Sequence, residues 1–211
     1  MDRNELERII REKLQEILVA EKDDMFMVEA SGRHVHLTKE HVEALFGKGY
    51  ELTPAKDLSQ PGQFAAKERV RVIGPKGEFS NVVVLGPCRN FSQVELSLTD
   101  CRQIGVKGVI RESGKIEGTP GILLGVGDKY VQLDKGVIVA KRHIHMTNED
   151  AKRFSVKDGE TVKVKIHSDR PLIFDDVLIR ARDSFRLSMH IDFDEANSCG
   201  YISGVKGSIE K

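Results

Sequence analysis

The sequence predicts a mainly β protein with short helices, built as two similar small domains behind an N-terminal amphipathic helix. Three observations carry this reading. First, a motif occurs twice: Arg33-His34-Val35-His36-Leu37-Thr38 returns as Arg142-His143-Ile144-His145-Met146-Thr147. Second, the segments after each copy match in order over far more residues than a solenoid repeat spans, which argues for two domains and not an array. Third, many short alternating segments punctuated by Gly and Pro favour small β-barrels or sandwiches over a parallel α/β sheet.

The elements follow in chain order. Residues 1–22 form the first unit, in which Leu6, Ile9, Ile10, Leu14, Ile17 and Leu18 fall on one helical stripe. Two readings of this helix stand side by side, a helix packed on its own domain or on an oligomer partner, and a detachable peptide that docks in a partner's groove. A polar stretch, Glu21-Lys22-Asp23-Asp24, separates it from a first domain over residues 25–120, and a second domain covers 121–211. In each domain the His-x-His strand is followed by Thr and an acidic residue, the signature of a capped helix: Thr38 opens residues 39–46 and Thr147 opens 148–154. Strands rich in β-branched residues come next, at 68–73 and 81–86 in the first copy and at 160–166 and 174–180 in the second. Both copies close on an alternating segment, Gln93–Leu98 and Leu187–Asp192, which aligns Glu95 with His190.

Composition excludes several function classes. Acidic and basic residues balance at 33 each, and only 6% of residues are aromatic, so neither a basic face nor a stacking platform for nucleic acid is expected. Nothing resembles a signal peptide, and no apolar run is long enough to cross a bilayer. Cys88, Cys101 and Cys199 are odd in number and irregular in spacing, which suits a reducing cytosol better than a disulfide framework.

The duplicated histidines carry the chemistry. Side chains at i and i+2 of a strand share a face, so each copy sets two imidazoles side by side, and neutral imidazole is the commonest zinc ligand. The repeat supplies a third ligand to each pair: His34, His36 and Glu95 in one copy, His143, His145 and His190 in the other. Three protein ligands leave one position open, as catalytic zinc requires. His41 and His167 have no counterparts and read as surface residues. Arg89, in the turn Gly86-Pro87-Cys88-Arg89 before Glu95, is placed to hold a phosphate through forked hydrogen bonds. Cys88 has no paired base in sequence and reads as a small buried residue.

Together these residues resemble the PduL-type phosphotransacylases, or phosphate propanoyltransferases. The resemblance rests on Ser31–Leu37, Gly86–Arg89, Gln93–Asp100, Lys141–Met146 and Met189–Asn197, in that order, and extends from about Val28 to the C-terminus. It implies two β-barrel domains related by a pseudo-twofold axis, with the active site between them. It implies a zinc pair, one ion on His34, His36 and Glu95 and one on His143, His145 and His190, with Arg89 on phosphate. Coenzyme A is expected near Ala30, Ser31 and Gly32, near Lys76 and near Asn197. A homo-oligomer is expected, and by the same resemblance the N-terminal helix is an encapsulation peptide that meets shell or cargo proteins. The expected location is the lumen of a bacterial microcompartment, in propanediol degradation, or otherwise the cytoplasm.

The implied reaction converts acyl-CoA (propanoyl-CoA or acetyl-CoA) and inorganic phosphate to acyl phosphate and coenzyme A, and the reverse. Two other readings use the same residues. A dinuclear zinc hydrolase such as a thioesterase would activate water on these ligands, and a non-enzymatic zinc-binding module would close its sites with a fourth protein ligand.

Overall fold

The computed structural model describes residues 5–14 and 24–210. Residues 5–14 are helical (α1). The chain continues through β1 (Met25–Ala30), β2 (His34–His36), α2 (Lys39–Phe46), β3 (Pro54–Asp57), β4 (Phe64–Gly74), β5 (Gly77–Gly86), β6 (Gln93–Glu95), α3 (Leu98–Ile104) and β7 (Ile110–Arg111). It then runs through β8 (Ile122–Val126), β9 (Lys129–Leu133), β10 (Val137–Ala140), β11 (His143–Met146), α4 (Asn148–Phe154), β12 (Thr161–His167), β13 (Leu172–Ala181), β14 (Ser188–Ile191), α5 (Phe193–Ser198) and β15 (Lys206–Glu210).

The mainly β architecture with short helices is as the sequence predicts. Six strands close a barrel in the order β1-β14-β11-β13-β12-β15. The other nine form an open, curled sheet in the order β7-β10-β6-β2-β5-β4-β8-β9, with β3 paired to β4. Only one of the two expected barrels is therefore closed. In the barrel, β15 pairs with both β12 and β1 and seals the ring. In the sheet those two tasks fall to different strands, β8 beside β4 and β7 beside β10, so the sheet keeps two free edges.

Strand membership does not follow the 25–120 and 121–211 division of the sequence. The strand before each His-x-His motif crosses to the other unit. β1 runs parallel to β14 of the barrel, with Glu29 opposite His190, and β10 runs parallel to β6 of the sheet, with Ile138 opposite Glu95. The cores agree: Phe26 and Val28 of β1 pack with Ile144, Ile166, Ile179 and Met189, while Leu124, Val137 and Val139 pack with Val35, Val72, Val84 and Val94. Each crossing strand buries its apolar residues in the core of the unit that it joins.

Local sequence sets the helix starts. Thr38 accepts from the His41 amide at the head of α2, and Thr147 forms a capping box with Asp150 at the head of α4. The helices that follow the third-ligand strands have the same device, Ser97 with Asp100 for α3 and Asp192 with Glu195 for α5. At the tip of the β4–β5 hairpin, Gly74 lies so close to α3 that a Cβ there would sit 2.4 Å from the Ile104 carbonyl oxygen. Only glycine lets the hairpin approach the helix end, where the Lys76 amide donates to that carbonyl at 3.0 Å.

In α1 the apolar stripe is open to solvent: Leu6, Ile9, Ile10 and Leu14 are 37–53% exposed. Ile17 and Leu18 of the expected stripe lie outside the described residues. Deleting residues 1–22 is therefore expected to shift the thermal midpoint by no more than about 2–4 °C, the equivalent of about 1 kcal/mol in a chain of this size. Phe26→Ala, by contrast, empties a side chain that is 3% exposed and meets Phe154 edge-on at 5.9 Å. It should cost about 3–5 kcal/mol. Denaturant unfolding of the two variants checks both, and a large loss on the deletion would show that the helix is packed.

Candidate active site

The site grows from two strand pairings. In the sheet, β2 lies antiparallel to β6 with His34 opposite Glu95 and His36 opposite Gln93. In the barrel, β11 lies antiparallel to β14 with His143 opposite His190 and His145 opposite Ser188. Val35 and Ile144, between the histidines, turn the other way and are fully buried in the two cores. The period of two thus gives each motif strand one face for packing and one for ligands.

Both sets open on one cavity of about 700 Å³ that also takes in Arg89, Ala30, Ser31 and Gly32. His34 Nε2 lies 3.4 Å from Glu95 Oε2, and His36 Nε2 lies 3.8 Å from Glu95 Oε1. The potential ligand atoms of His34, His36 and Glu95 all fall within 4.8 Å of one another. In the barrel the three imidazoles touch as rings, with centroids 4.6 Å apart for His143–His145, 5.2 Å for His143–His190 and 4.9 Å for His145–His190. Among the described residues, only the first set meets the tighter convergence of ligand atoms.

Hydrogen bonds fix which nitrogen is free. His34 Nδ1 is 2.8 Å from the Gly32 carbonyl oxygen, and His143 Nδ1 is 2.8 Å from the Lys141 carbonyl oxygen. A carbonyl only accepts, so Nδ1 carries the hydrogen and the Nε2 lone pair is left for a cation, the usual arrangement of a metal-bound histidine. His36 Nδ1 and His145 Nδ1 are buried without a hydrogen-bond partner. An unpaired buried polar atom is costly, and its recurrence at equivalent positions of the repeat fits a group that the donor set is built to receive.

Protonation follows the same geometry. Burial pushes His143 and His190 down to about 4, with neighbouring positive charge from His190 and Arg180 adding to it. His145 falls to about 2 through burial and the two imidazoles beside it. All three are neutral near pH 7, as ligation demands. In the first set, burial opposes charge on every member, but Glu95 and His34 offset it for each other. Glu95 is held well below the usual carboxylate range and His34 is raised, while burial and the His34 charge keep His36 well below normal.

Two arginines flank the ligands. Arg89 sits in the β5–β6 turn, held by its amide on the Leu37 carbonyl at 2.9 Å, and its Nη1 donates to Ser113 at 3.3 Å. Arg180, the register partner of His145, also lines the cavity. Its guanidinium lies 5.7 Å from the centre of the Phe185 ring, which in turn lies 4.3 Å from the ring of His145. Burial lowers both guanidinium groups, yet arginine keeps its charge, so Arg89 and Arg180 each present a fixed cation to the cavity.

Several expectations change. Cys88, expected buried, is exposed, because the turn after Pro87 leaves it outside both cores. His41, expected on the surface, is partly buried and pairs with Ser92 through Nδ1 at 2.7 Å. Lys76, at the hairpin tip against Gly105, and Asn197, in α5, are not among the residues that line the cavity. Sequence reasoning missed Arg180, although an arginine where the first repeat has Leu85 signals a polar surrounding at the end of an otherwise apolar strand. It also missed Gln60, which reaches from the sheet unit to Ser188 at 3.0 Å and to the Arg186 carbonyl at 2.9 Å. No local pattern marks a contact between residues so far apart in the chain.

A mixed histidine–carboxylate cluster flanked by two arginines, in a cavity between related β units, is suited to an anionic ligand. Comparison with known proteins gives it a family. The phosphate propanoyltransferase family model matches residues 27–202. Proteins named phosphate propanoyltransferase are similar over essentially the whole chain: one from Leptotrichia buccalis is 96% identical over 211 residues, covering all of both chains. One from Sebaldella termitidis is 72% identical over 209 residues and 99% of each chain, and one from Clostridioides difficile is 56% identical over 207 residues, 98% of this chain and 99% of the other. The chain belongs to the phosphate propanoyltransferase family and is an acyltransferase.

The donor geometry makes a direct prediction. A zinc ion on either set would have three protein ligands and no spare donor, so His34→Ala and His143→Ala should each lower bound zinc by about one ion per chain. Elemental analysis of the purified variants reads this, and full zinc in either one contradicts the assignment of that set.

Proposed function

We propose that the protein interconverts acyl-CoA and inorganic phosphate with acyl phosphate and coenzyme A, on propanoyl or acetyl groups, with zinc at the two histidine sets. The observation that carries this reading is the shared cavity: the imidazoles of both sets, the Glu95 carboxylate and the half-buried Arg89 and Arg180 line the same space. Relatives named for a phosphate-dependent propanoyl transfer support it.

His34, His36 and Glu95 would hold one zinc, and His143, His145 and His190 the other. The chemistry zinc supplies when bound is Lewis-acid stabilisation of negative charge on the thioester carbonyl oxygen and on the departing sulfur. Arg89 binds phosphate by forked hydrogen bonds and aims one of its oxygens at the carbonyl carbon, which removes an entropic barrier. Arg180 offsets charge from the opposite wall as it builds up. In the forward direction a phosphate oxygen bonds to the acyl carbon, the carbon–sulfur bond breaks, and the phosphate proton ends on the thiol. No covalent acyl-enzyme is needed, in keeping with the exposed, unpaired Cys88.

Ala30, Ser31 and Gly32 lie along β1 and the turn into the first motif, on the cavity wall. They would meet the coenzyme there, with Lys76 and Asn197 reserved for its distal portion. The exposed apolar stripe of α1 supports a docking role toward microcompartment shell or cargo proteins, in a homo-oligomeric enzyme of the microcompartment lumen. No helix among the described residues is long and apolar enough to cross a membrane.

The test is a steady-state assay of acyl-CoA with and without phosphate, with and without chelator, over a series of chain lengths. Phosphate-dependent release of coenzyme A that chelation abolishes and zinc restores is the expected result. Release without phosphate would instead make the protein a zinc thioesterase. Acetyl and propanoyl substrates should differ modestly, since one methylene is worth about 1–3 kcal/mol in an apolar pocket. Arg89→Ala should raise the phosphate KM far more than the coenzyme KM, and Arg89→Lys should not restore it, because an ammonium cannot form the fork. A variant that keeps its phosphate KM while losing coenzyme affinity would reassign Arg89.

A further inference from the structure

We propose that Gln93 and Ser113 are positioning residues that set the Glu95 carboxylate for one-oxygen ligation and tie the Arg89 guanidinium to it. The inference rests on the metal-dependent reading above, and goes beyond it by assigning two residues outside the ligand sets.

Hydrogen bookkeeping determines the network. The Gly114 amide donates to Gln93 Oε1 at 2.8 Å, which fixes the orientation of the side-chain amide. Gln93 Nε2 then donates to Glu95 Oε1 at 2.6 Å and to Ser113 Oγ at 2.9 Å. Ser113 Oγ also accepts from Arg89 Nη1 at 3.3 Å, so its one hydrogen is free to go to Glu95 Oε1, 2.9 Å away. Both donors converge on Oε1, and Oε2 is left facing His34 Nε2 at 3.4 Å. Gln93 is 0% exposed, so water does not replace it in this task.

The repeat contains the same device in another form. Ser188 stands opposite His145 as Gln93 stands opposite His36. Its Oγ is hydrogen-bonded at 3.0 Å to Nε2 of His190, two residues on, just as Gln93 holds Glu95 two residues on. In each unit a polar side chain on the ligand face steadies the third ligand. Ser113 adds what the barrel lacks, a bridge between a ligand and an anion-binding arginine. That bridge uses Nη1 of Arg89 and leaves its other donors available to a phosphate.

The test compares Gln93→Met, Ser113→Ala and Ser113→Thr with the wild type. Zinc affinity is read by competition with a chromophoric chelator, ligand geometry by the visible absorption of the cobalt-substituted protein, and phosphate KM by the acyl-transfer assay. Gln93→Met should weaken zinc binding about 10–100-fold. It should also change the cobalt spectrum. Ser113→Ala should weaken zinc and raise the phosphate KM together, and Ser113→Thr, which keeps the hydroxyl, should restore both. Thermal midpoints of the metal-free proteins separate these effects from misfolding, and if Gln93→Met fails to fold the Ser113 pair decides alone. Wild-type zinc affinity and cobalt spectrum in the variants overturn this inference only. A wild-type chain that takes up no zinc overturns it together with the metal-dependent reading.

Discussion

The antiparallel register that sets His34 opposite Glu95 and His143 opposite His190 is the constraint on which the cleft depends. Each motif strand is only three or four residues long, with a fully buried Val35 or Ile144 between its histidines. A one-residue slip would turn the imidazoles into a core and the aliphatic side chain into the cavity, so the packing that folds each unit also aims its ligands. The helix caps Thr38 and Thr147, two residues beyond each motif, end the strand at the point where the ligand face is complete.

The exchange of β1 and β10 between the two units follows from the same arrangement. Each crossing strand lies parallel to the third-ligand strand of the other unit, so neither ligand strand is an edge. The chain thus crosses between sheet and barrel before each motif, and the cavity lies where the two units meet. Gln60 and Ser59 add side-chain contacts across the boundary, to Ser188 and Glu29. Against this rigid frame the electrostatics divide in two. The barrel set is three imidazoles kept neutral by burial, and the sheet set is an ionised carboxylate that shares charge with His34. The two positions therefore offer a cation different net charge.

Much of this was legible in the sequence because the chain is a repeat. The duplicated motif placed both histidine pairs, and aligning Gln93–Leu98 with Leu187–Asp192 brought Glu95 and His190 into equivalent places, which the registers reproduce. Strand and helix positions after each motif were readable from β-branched runs and Thr caps. The strand exchange was not, since Met25–Ala30 and Val137–Ala140 read equally well as partners of either unit, and alternation says nothing about which sheet a strand joins. The open sheet was hidden for a related reason: closure depends on β15, while β7 and β8 divide its role by pairings distant in sequence. Short α3 and α5 were not read, although Ser97-x-x-Asp100 and Asp192-x-x-Glu195 are capping boxes, because these lie at the ends of segments that alternate like strands. Arg180 was signalled only by its replacing the Leu85 of the first repeat, and Ser113 lay beyond reach, because it acquires its role from partners on another strand and turn.

The central claim is that one cleft unites two metal-ligand sets from two sheets. Anomalous X-ray diffraction at the zinc edge, from crystals of the metal-loaded protein, tests it most directly. The account predicts two peaks on the cavity wall, one against His34, His36 and Glu95 and one against His143, His145 and His190. A single peak, or zinc bound away from these residues, would contradict it.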